Sequence, residues 1–475
     1  MGAGAQQMKR GWWMSLLALL LLLPGLALAQ GDEPVEPVFG VIEAYYRPAE
    51  AVELGAAWDR IIFHWDAFQP AGPNDWDTSA VPAEYLATAR EAGRQVVGLI
   101  KATPPWASDS GTPGGVPHGL NLPVDDPDNV FSAFVTRLVE EYAPLGVHDW
   151  IIWNEPDIRP GEGIPEFEGE VEDYAALVRT AYQAVKAADP GAHVQLAGTT
   201  YWHDANAFRE PYLRRLLRVL FNDPQAAANG YYFDGVTLHI YFTTWTLQPI
   251  IDQTNDILWD YGLQNKEVWL SEFNASPRRD PEAQIDAMFE VSLEQQSNFI
   301  VQAAALALSQ GVDRMAVYRL YDNAFTPGVS EPWGLVRGDG SLRPAFSAYQ
   351  QVIERFGGAT RVEYTPVDGG DLVTFRFPDR TLYAMWSSAF EGGTFMINAG
   401  GLDSPVTVFD AEGDETELEL TELSGAQFAI IEALPAEQID MPWVVVAGPV
   451  HLLELPGPPR TVVFRNAEGV VTQVR

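Results

Sequence analysis

The 475-residue sequence contains no cysteine. That excludes disulfides, thiolate nucleophiles and zinc–sulfur centres. Histidine is scarce, with seven residues, and none falls in a His-x-His or His-Glu-x-x-His spacing. A histidine-rich metal site is therefore not expected, and neither is a metal or cofactor. Basic residues are few: 29 Lys and Arg stand against 65 Asp and Glu, a formal net charge of −36. A surface of that sign repels nucleic acid and anionic membrane and disfavours a polyanionic substrate. No Gly-rich phosphate loop follows any apolar run, and no internal repeat is present.

One long apolar run exists, at the start. Lys9 and Arg10 precede an almost wholly apolar stretch from Trp12 to Leu23, broken by Pro24 and Gly25. Ala27-Leu28-Ala29 then offers small residues for cleavage before Gln30. This is the pattern of a signal peptide over residues 1–29, and the run is short for a full membrane span. The expectation is a protein secreted to the extracellular or periplasmic space, soluble and free of the membrane once cleaved. Residues 30–36 read as a short acidic leader.

From residue 37 the chain alternates. Apolar runs suited to strands covered on both faces occur at Phe39–Tyr45, Arg60–Trp65, Gln95–Ile100, Trp150–Trp153, His193–Gly198, Gly235–Tyr241, Glu267–Ser271 and Arg314–Tyr318. Helical periodicity separates several of them. Phe131, Phe134, Val135, Leu138, Val139 and Tyr142 mark one face, and Tyr174, Leu177, Val178, Ala181, Tyr182 and Val185 another. Ser292 and Gln295 are spaced to cap a third helix that stops at Gly311. Eight strands alternating with helices predict an α/β fold, a (β/α)8 TIM barrel over residues 37–358. Past Gly357-Gly358 short strand-like runs are punctuated by Gly, Asp and Pro, among them Leu372–Phe377, Leu382–Trp386 and Trp443–Val446. Residues 359–475 are expected to form a small β-sandwich accessory domain, with packing against the barrel the favoured role over sugar binding.

Two runs end in carboxylates. Ile151-Ile152-Trp153-Asn154-Glu155-Pro156-Asp157 passes from apolar strand to polar tip, and Trp269-Leu270-Ser271-Glu272 does the same. In such a barrel the carboxyl ends of the strands carry the active site. Two carboxyls facing each other there can protonate a leaving oxygen and attack an anomeric carbon. Glu155 is the candidate acid/base and Glu272 the candidate nucleophile, with Asn154 placed to hold a substrate hydroxyl. His239 and Tyr241 share one face of the sixth run, where a phenol can orient Glu272. Arg60, at the head of the second run, needs a partner if buried, and Glu272 is a candidate. Trp106, Trp202 and Trp333 follow the third, fifth and eighth runs as candidate sugar-stacking or loop-packing residues.

With these motifs placed, the chain resembles glycoside hydrolase clan A, most closely family thirty-nine and related bacterial exopolysaccharide hydrolases. The resemblance spans residues 37–358 and, more loosely, 359–455. It implies a barrel of retaining glycosidases in which Glu155 is acid/base, Asn154 meets the substrate 2-hydroxyl and Glu272 is nucleophile. It also matches His239 and Tyr241 to the clan's sixth-strand pair and Arg60 to its second-strand arginine. The spacing Gly334-Leu335, Asp339-Gly340, Arg343-Pro344-Ala345 is similar as well. One departure is visible: Tyr318-Arg319-Leu320-Tyr321 stands where the clan has an eighth-strand tryptophan. The function expected is a secreted retaining hydrolase of O-glycosidic bonds in an oligo- or polysaccharide. The alternatives are a non-catalytic carbohydrate-binding protein on the same scaffold and a metal-dependent barrel hydrolase.

Overall fold

The computed structural model describes residues 38–163, 165–282, 291–322, 332–439 and 445–474. The signal-peptide and leader assignments, and half of the Trp443–Val446 run, lie outside these residues. Eight parallel strands close into a barrel in sequence order: β1 (Phe39–Ile42), β2 (Trp58–His64), β3 (Gln95–Lys101), β4 (Val147–Ile152), β5 (His193–Leu196), β6 (Gly235–Tyr241), β7 (Glu267–Asn274) and β8 (Arg314–Val317). β8 pairs with β1 in parallel to complete the ring.

Alternation along each strand sorts side chains between two cores. Ile42, Trp58, Val97, Leu99, Ile151, Trp269 and Ala316 form a buried cluster inside the barrel, with the Trp58 and Trp269 rings 5.8 Å apart. Gly40 is required here, since a Cβ would lie 2.3 Å from the Trp58 indole. Outward residues such as Phe63, Ile152 and Phe273 pack under the helices. The helix Val130–Tyr142 buries the face read from its periodicity, and Ser292 and Gln295 form a reciprocal capping box on Leu293–Ser309.

One strand differs from its sequence reading in a way that matters. β7 does not end at the carboxylate; it runs on to Asn274. Its register against β6 shifts after Leu238, so that His239 pairs with Glu272 and Ser271 is the extra residue. Trp269 points inward, so strict alternation would send Glu272 outward. The bulge at Ser271 turns it into the barrel, the re-aiming that bulges produce beside functional sites.

The described C-terminal region has two large antiparallel sheets and a two-stranded ribbon, Glu437–Gln438 with Val445–Val446. The first runs, in spatial order, Glu415–Leu418, Val406–Phe409, His451–Pro456, Arg380–Ser387, Gly370–Arg376, Arg361–Val367; the second runs Thr421–Leu423, Ala426–Ala433, Gly393–Asn398, Val462–Asn466, Val471–Val474. Arg361–Val367 was not read as a strand because it is a polar edge strand carrying a proline, Pro366. The inner strands of the first sheet are buried on both faces. Leu372, Tyr383, Met385 and Leu453 meet the second sheet, while Val373, Phe375, Leu382, Trp386 and Leu452 join the barrel core. Phe375 stacks on Phe356 of the helix Pro344–Phe356 at 4.2 Å. Asn298 and Gln302 fasten the adjoining backbone at Val450 N and Gly448 O, both at 2.7 Å. The sandwich therefore covers apolar helix surface that the barrel would otherwise expose.

Candidate active site

Backbone strain gathers on one rim. Among the described residues, six of the ten non-glycine residues with positive φ follow the carboxyl ends of barrel strands: Glu43, Ala102, Trp153, Glu155, Tyr201 and Phe242. Left-handed backbone costs an L-residue roughly 1–2 kcal/mol, and such strain persists where the surrounding structure holds it. After β4 the holding contacts are clear. Trp153 N donates to Ile100 O at 2.9 Å and Glu155 N to Gly198 O at 3.0 Å, tying the segment to β3 and to the residues after β5. The Trp153 indole donates to Glu166 O at 2.8 Å. Asp157 accepts from Thr200 N at 2.9 Å and Thr200 Oγ1 at 2.7 Å. Glu155 is thus held over the barrel mouth by strands on either side.

Glu272 enters from β7. Arg60, buried in the middle of β2, donates to its Oε1, and the Tyr241 hydroxyl donates to its Oε2. This places Arg60 inside the barrel rather than at its outer surface. His239 Nδ1 lies 2.7 Å from Glu155 Oε1 and 3.6 Å from Glu272 Oε2, between the two carboxyls. Ligand atoms of Glu155, His239 and Glu272 all fall within 4.8 Å of one another. The His239 ring lies against Gly198, where a Cβ would approach Nε2 to 2.2 Å.

The two carboxyls differ in environment. The Glu272 side chain is 8% exposed and that of Glu155 20%. Burial alone would raise the Glu272 carboxyl. The charges of His239 and Arg60, with hydrogen bonds from Tyr241 and Arg60, more than offset it and leave it below its ordinary value. Burial would lower His239, but the Glu272 charge and the bond to Glu155 raise it overall. Burial, with the Glu272 charge beside it, holds the Tyr241 phenol far above its usual range, so it stays a donor. Three such groups can converge on a cation. Here, however, the Arg60 guanidinium already bonds one Glu272 oxygen, and a second cation would meet its charge. The set reads as an ionised carboxylate opposite a second carboxyl with an oxygen to spare.

Asn154 is partly buried beside Glu155, and no side-chain hydrogen bond engages it among the described residues. Trp333 packs edge-on against Tyr241 at 4.9 Å and Tyr318 at 6.1 Å, so the loop after β8 supplies the indole that the strand itself lacks. Asn274 donates to the carbonyls of both Tyr318 (2.6 Å) and Trp333 (2.8 Å), fixing this wall to the end of β7. Trp202 stands on the rim, with its ring beside Tyr201. Trp106 is not joined to this group by any of these bonds; its indole donates to Gln69 O at 2.6 Å and it packs edge-on against Trp65.

Sequence reasoning missed three members. Glu43 and Arg319 meet at 3.2 Å across the β1–β8 closure, close enough that the Glu43 and Glu272 charges interact. Burial raises the Glu43 carboxyl, and Arg319 and Arg60 offset this only in part. Trp245 lies four residues past Tyr241 and is exposed. Only that last residue carried a usable signal, an aromatic just beyond a strand end on the catalytic side.

No family model matches the sequence, and no curated protein matches it in sequence. Solved structures do match in three dimensions. A family 39 glycoside hydrolase from Bacteroides cellulosilyticus WH2 superposes with TM-score 0.63 at 16% identity, over 88% of this chain and 81% of that one. The chain shares the fold of that structure. A glucosidase from Croceicoccus marinus superposes with TM-score 0.57 at 14% identity, over 89% and 96% of the two chains. A GH30 endoxylanase from Clostridium papyrosolvens C71 gives TM-score 0.54 at 11% identity, over 89% and 97%. Each superposition runs over most of both chains and shows a shared fold, a closed barrel of eight parallel strands. At these identities the likeness establishes the fold and leaves the chemistry to the site.

Proposed function

We propose that this chain is a retaining glycoside hydrolase that cleaves O-glycosidic bonds of an oligo- or polysaccharide. The observation that carries the proposal is the pair of converging carboxyls, one of them held ionised. Retaining enzymes set their carboxyls roughly 5–5.5 Å apart, whereas inverting enzymes leave about 6.5–9.5 Å for a water. Oxygens of Glu155 and Glu272 within 4.8 Å suit direct attack. In the first step Glu272 attacks the anomeric carbon while Glu155 gives its proton to the leaving oxygen. In the second, Glu155 takes a proton from water, which then attacks the same carbon and releases Glu272. Arg60 and Tyr241 hold the nucleophile, His239 orients Glu155, and Asn154 has a free amide for a sugar hydroxyl. The double displacement needs no cofactor.

We propose export as well, from the charged start, apolar run and small-residue site of residues 1–29. A secreted product beginning at Gln30 supports this; a cell-retained chain with intact Met1 overturns it.

The deciding experiment is hydrolysis of activated aryl glycosides and neutral polysaccharides by the wild type and Glu272→Ala. Turnover should vanish in the variant and return with azide, which replaces the missing nucleophile. Full activity in the variant refutes the nucleophile assignment. Saccharide binding without hydrolysis by the wild type supports the carbohydrate-binding alternative instead.

A further inference from the structure

Two strained turns on the catalytic rim each lead to an exposed tryptophan. Trp202 N donates to Thr200 O at 2.7 Å across Tyr201, whose φ and ψ are 63° and −49°. Thr243 N donates to Tyr241 O at 2.9 Å across Phe242, with φ 69°. A hydrogen bond closed over three residues, with positive φ at the centre, is the rare and strained form of the γ-turn. An aromatic residue is a costly occupant of that centre. The strain leads to little local burial. Trp202 is 38% exposed and Trp245 is 55% exposed. Their rings stand 6.4 Å apart at 70°, forming an open corner.

The corner is built into the site. The Trp202 loop is fastened to the Glu155 segment by Thr200 on Asp157 and by Arg209 Nη2 on Glu162 Oε2 at 2.8 Å. Trp245 follows directly on the strand that carries His239 and Tyr241. Going round the barrel from Glu155 on the β4 side, the next two loops are those of Trp202 and Trp245. The opposite wall, Tyr318 and Trp333, belongs to the β8 side. Trp259, 69% exposed on the outer helix Leu247–Asp260, has no such setting and serves as a comparison.

We infer that Trp202 and Trp245 form a stacking platform for the sugar ring on the leaving-group side of the scissile bond, selecting an uncharged oligo- or polysaccharide over a small glycoside. The inference rests on the glycosidase reading. An indole face carries negative charge density and meets the C–H face of a pyranose, so flat apolar rings at an angle suit one sugar and the turn to its neighbour. On the Trp202 side Glu162 and Asp204 are paired with Arg209 and Arg215, so among the described residues the platform offers no unpaired cation to draw a uronate.

The test separates binding from chemistry. Cellotetraose, xylotetraose and mannotetraose are titrated calorimetrically into Glu272→Ala, alone and combined with Trp202→Ala, Trp245→Ala or Trp259→Ala. In the active background the same tryptophan variants are assayed on β-glucosyl, β-xylosyl and β-mannosyl fluorides, whose one-atom leaving group cannot reach the platform. Loss of an aromatic anchor should weaken the bound tetraose roughly ten- to thirtyfold for Trp245→Ala, and less for Trp202→Ala. Trp259→Ala should bind as its parent does and hydrolyse the fluorides within about twofold of wild type, while in the two rim variants any loss on the fluorides should be smaller than the loss in tetraose binding. Tetraose binding within twofold of the parent in both rim variants overturns the platform. So does binding of none of the three tetraoses, or an equal loss on the fluorides. Failure of the glycosidase reading appears separately, as fluoride hydrolysis that survives Glu272→Ala.

Discussion

Tyr241→Phe removes one oxygen and little else. The phenol is partly buried, donates to Glu272 Oε2, and keeps Trp333 and Tyr318 around its ring. Phenylalanine preserves those ring contacts. A hydrogen bond to a charged group is worth about 1.5–3 kcal/mol, and each 1.4 kcal/mol is a factor of ten. Arg60 still holds Oε1, while Oε2 keeps only His239 Nδ1 at 3.6 Å. The carboxylate then has one anchor and can rotate away from the line of attack. A loss of about ten- to a hundredfold in kcat/KM is expected at the optimum. The pH profile adds a second readout. In the wild type the Glu272 carboxyl lies below its ordinary value despite burial, because His239, Arg60 and Tyr241 oppose it. Removing Tyr241's bond raises it, so the acidic limb of kcat/KM, which needs the ionised group, should move to higher pH. The same lowered value means that the network stabilises the fold at neutral pH and that this contribution fades as pH falls through the folded value. The assay is kcat/KM on an activated aryl glycoside from about pH 4 to 9, with circular dichroism to confirm folding. An unmoved acidic limb with activity within twofold would refute the assignment of Glu272 as the ionised group.

Gly198→Ala should fold yet lose most activity, because its Cβ would lie 2.2 Å from His239 Nε2 and push the ring off Glu155. Near-wild-type kcat/KM in this variant would show that His239 does not orient the acid/base. Asp59 offers a stability test away from the chemistry. Burial raises its carboxyl to about 7, offset only in part by the Ala44 N–H and by Arg94. The folded state then keeps a proton that the unfolded chain releases above the ordinary aspartate value of 3.8, so this group makes stability fall as pH rises towards about 7. Asp59→Asn abolishes that dependence, and its Tm relative to wild type should be more favourable at pH 8 than at pH 5. An equal Tm difference at both pH values would refute the placement of a proton there.

The eight barrel strands were legible because a parallel strand buried on both faces must be apolar along its length, a local property. Their ends were less so. β4 starts at Val147 and stops before Trp153, and β7 runs three residues past Ser271. Hydrogen bonding to neighbouring strands sets those limits. In the C-terminal region the edge strand Arg361–Val367 escaped detection because an edge need not be apolar.

By itself the sequence determined the class of barrel and singled out the two candidate glutamates, since each depends on a short run of adjacent residues: apolar strand, then carboxylate. It also placed Arg60, His239 and Tyr241 in the candidate group, through strand periodicity and family resemblance. Tertiary structure decided what those residues face. The bulge at Ser271 turns Glu272 into the barrel, and a bulge is a property of two paired strands. The loop after β8 swings Trp333 onto Tyr241, and ring closure brings Glu43 to Arg319 across 276 residues of chain. Trp106, by contrast, is taken up by Gln69 and Trp65. Such choices depend on distances between segments remote in sequence, which local pattern cannot encode.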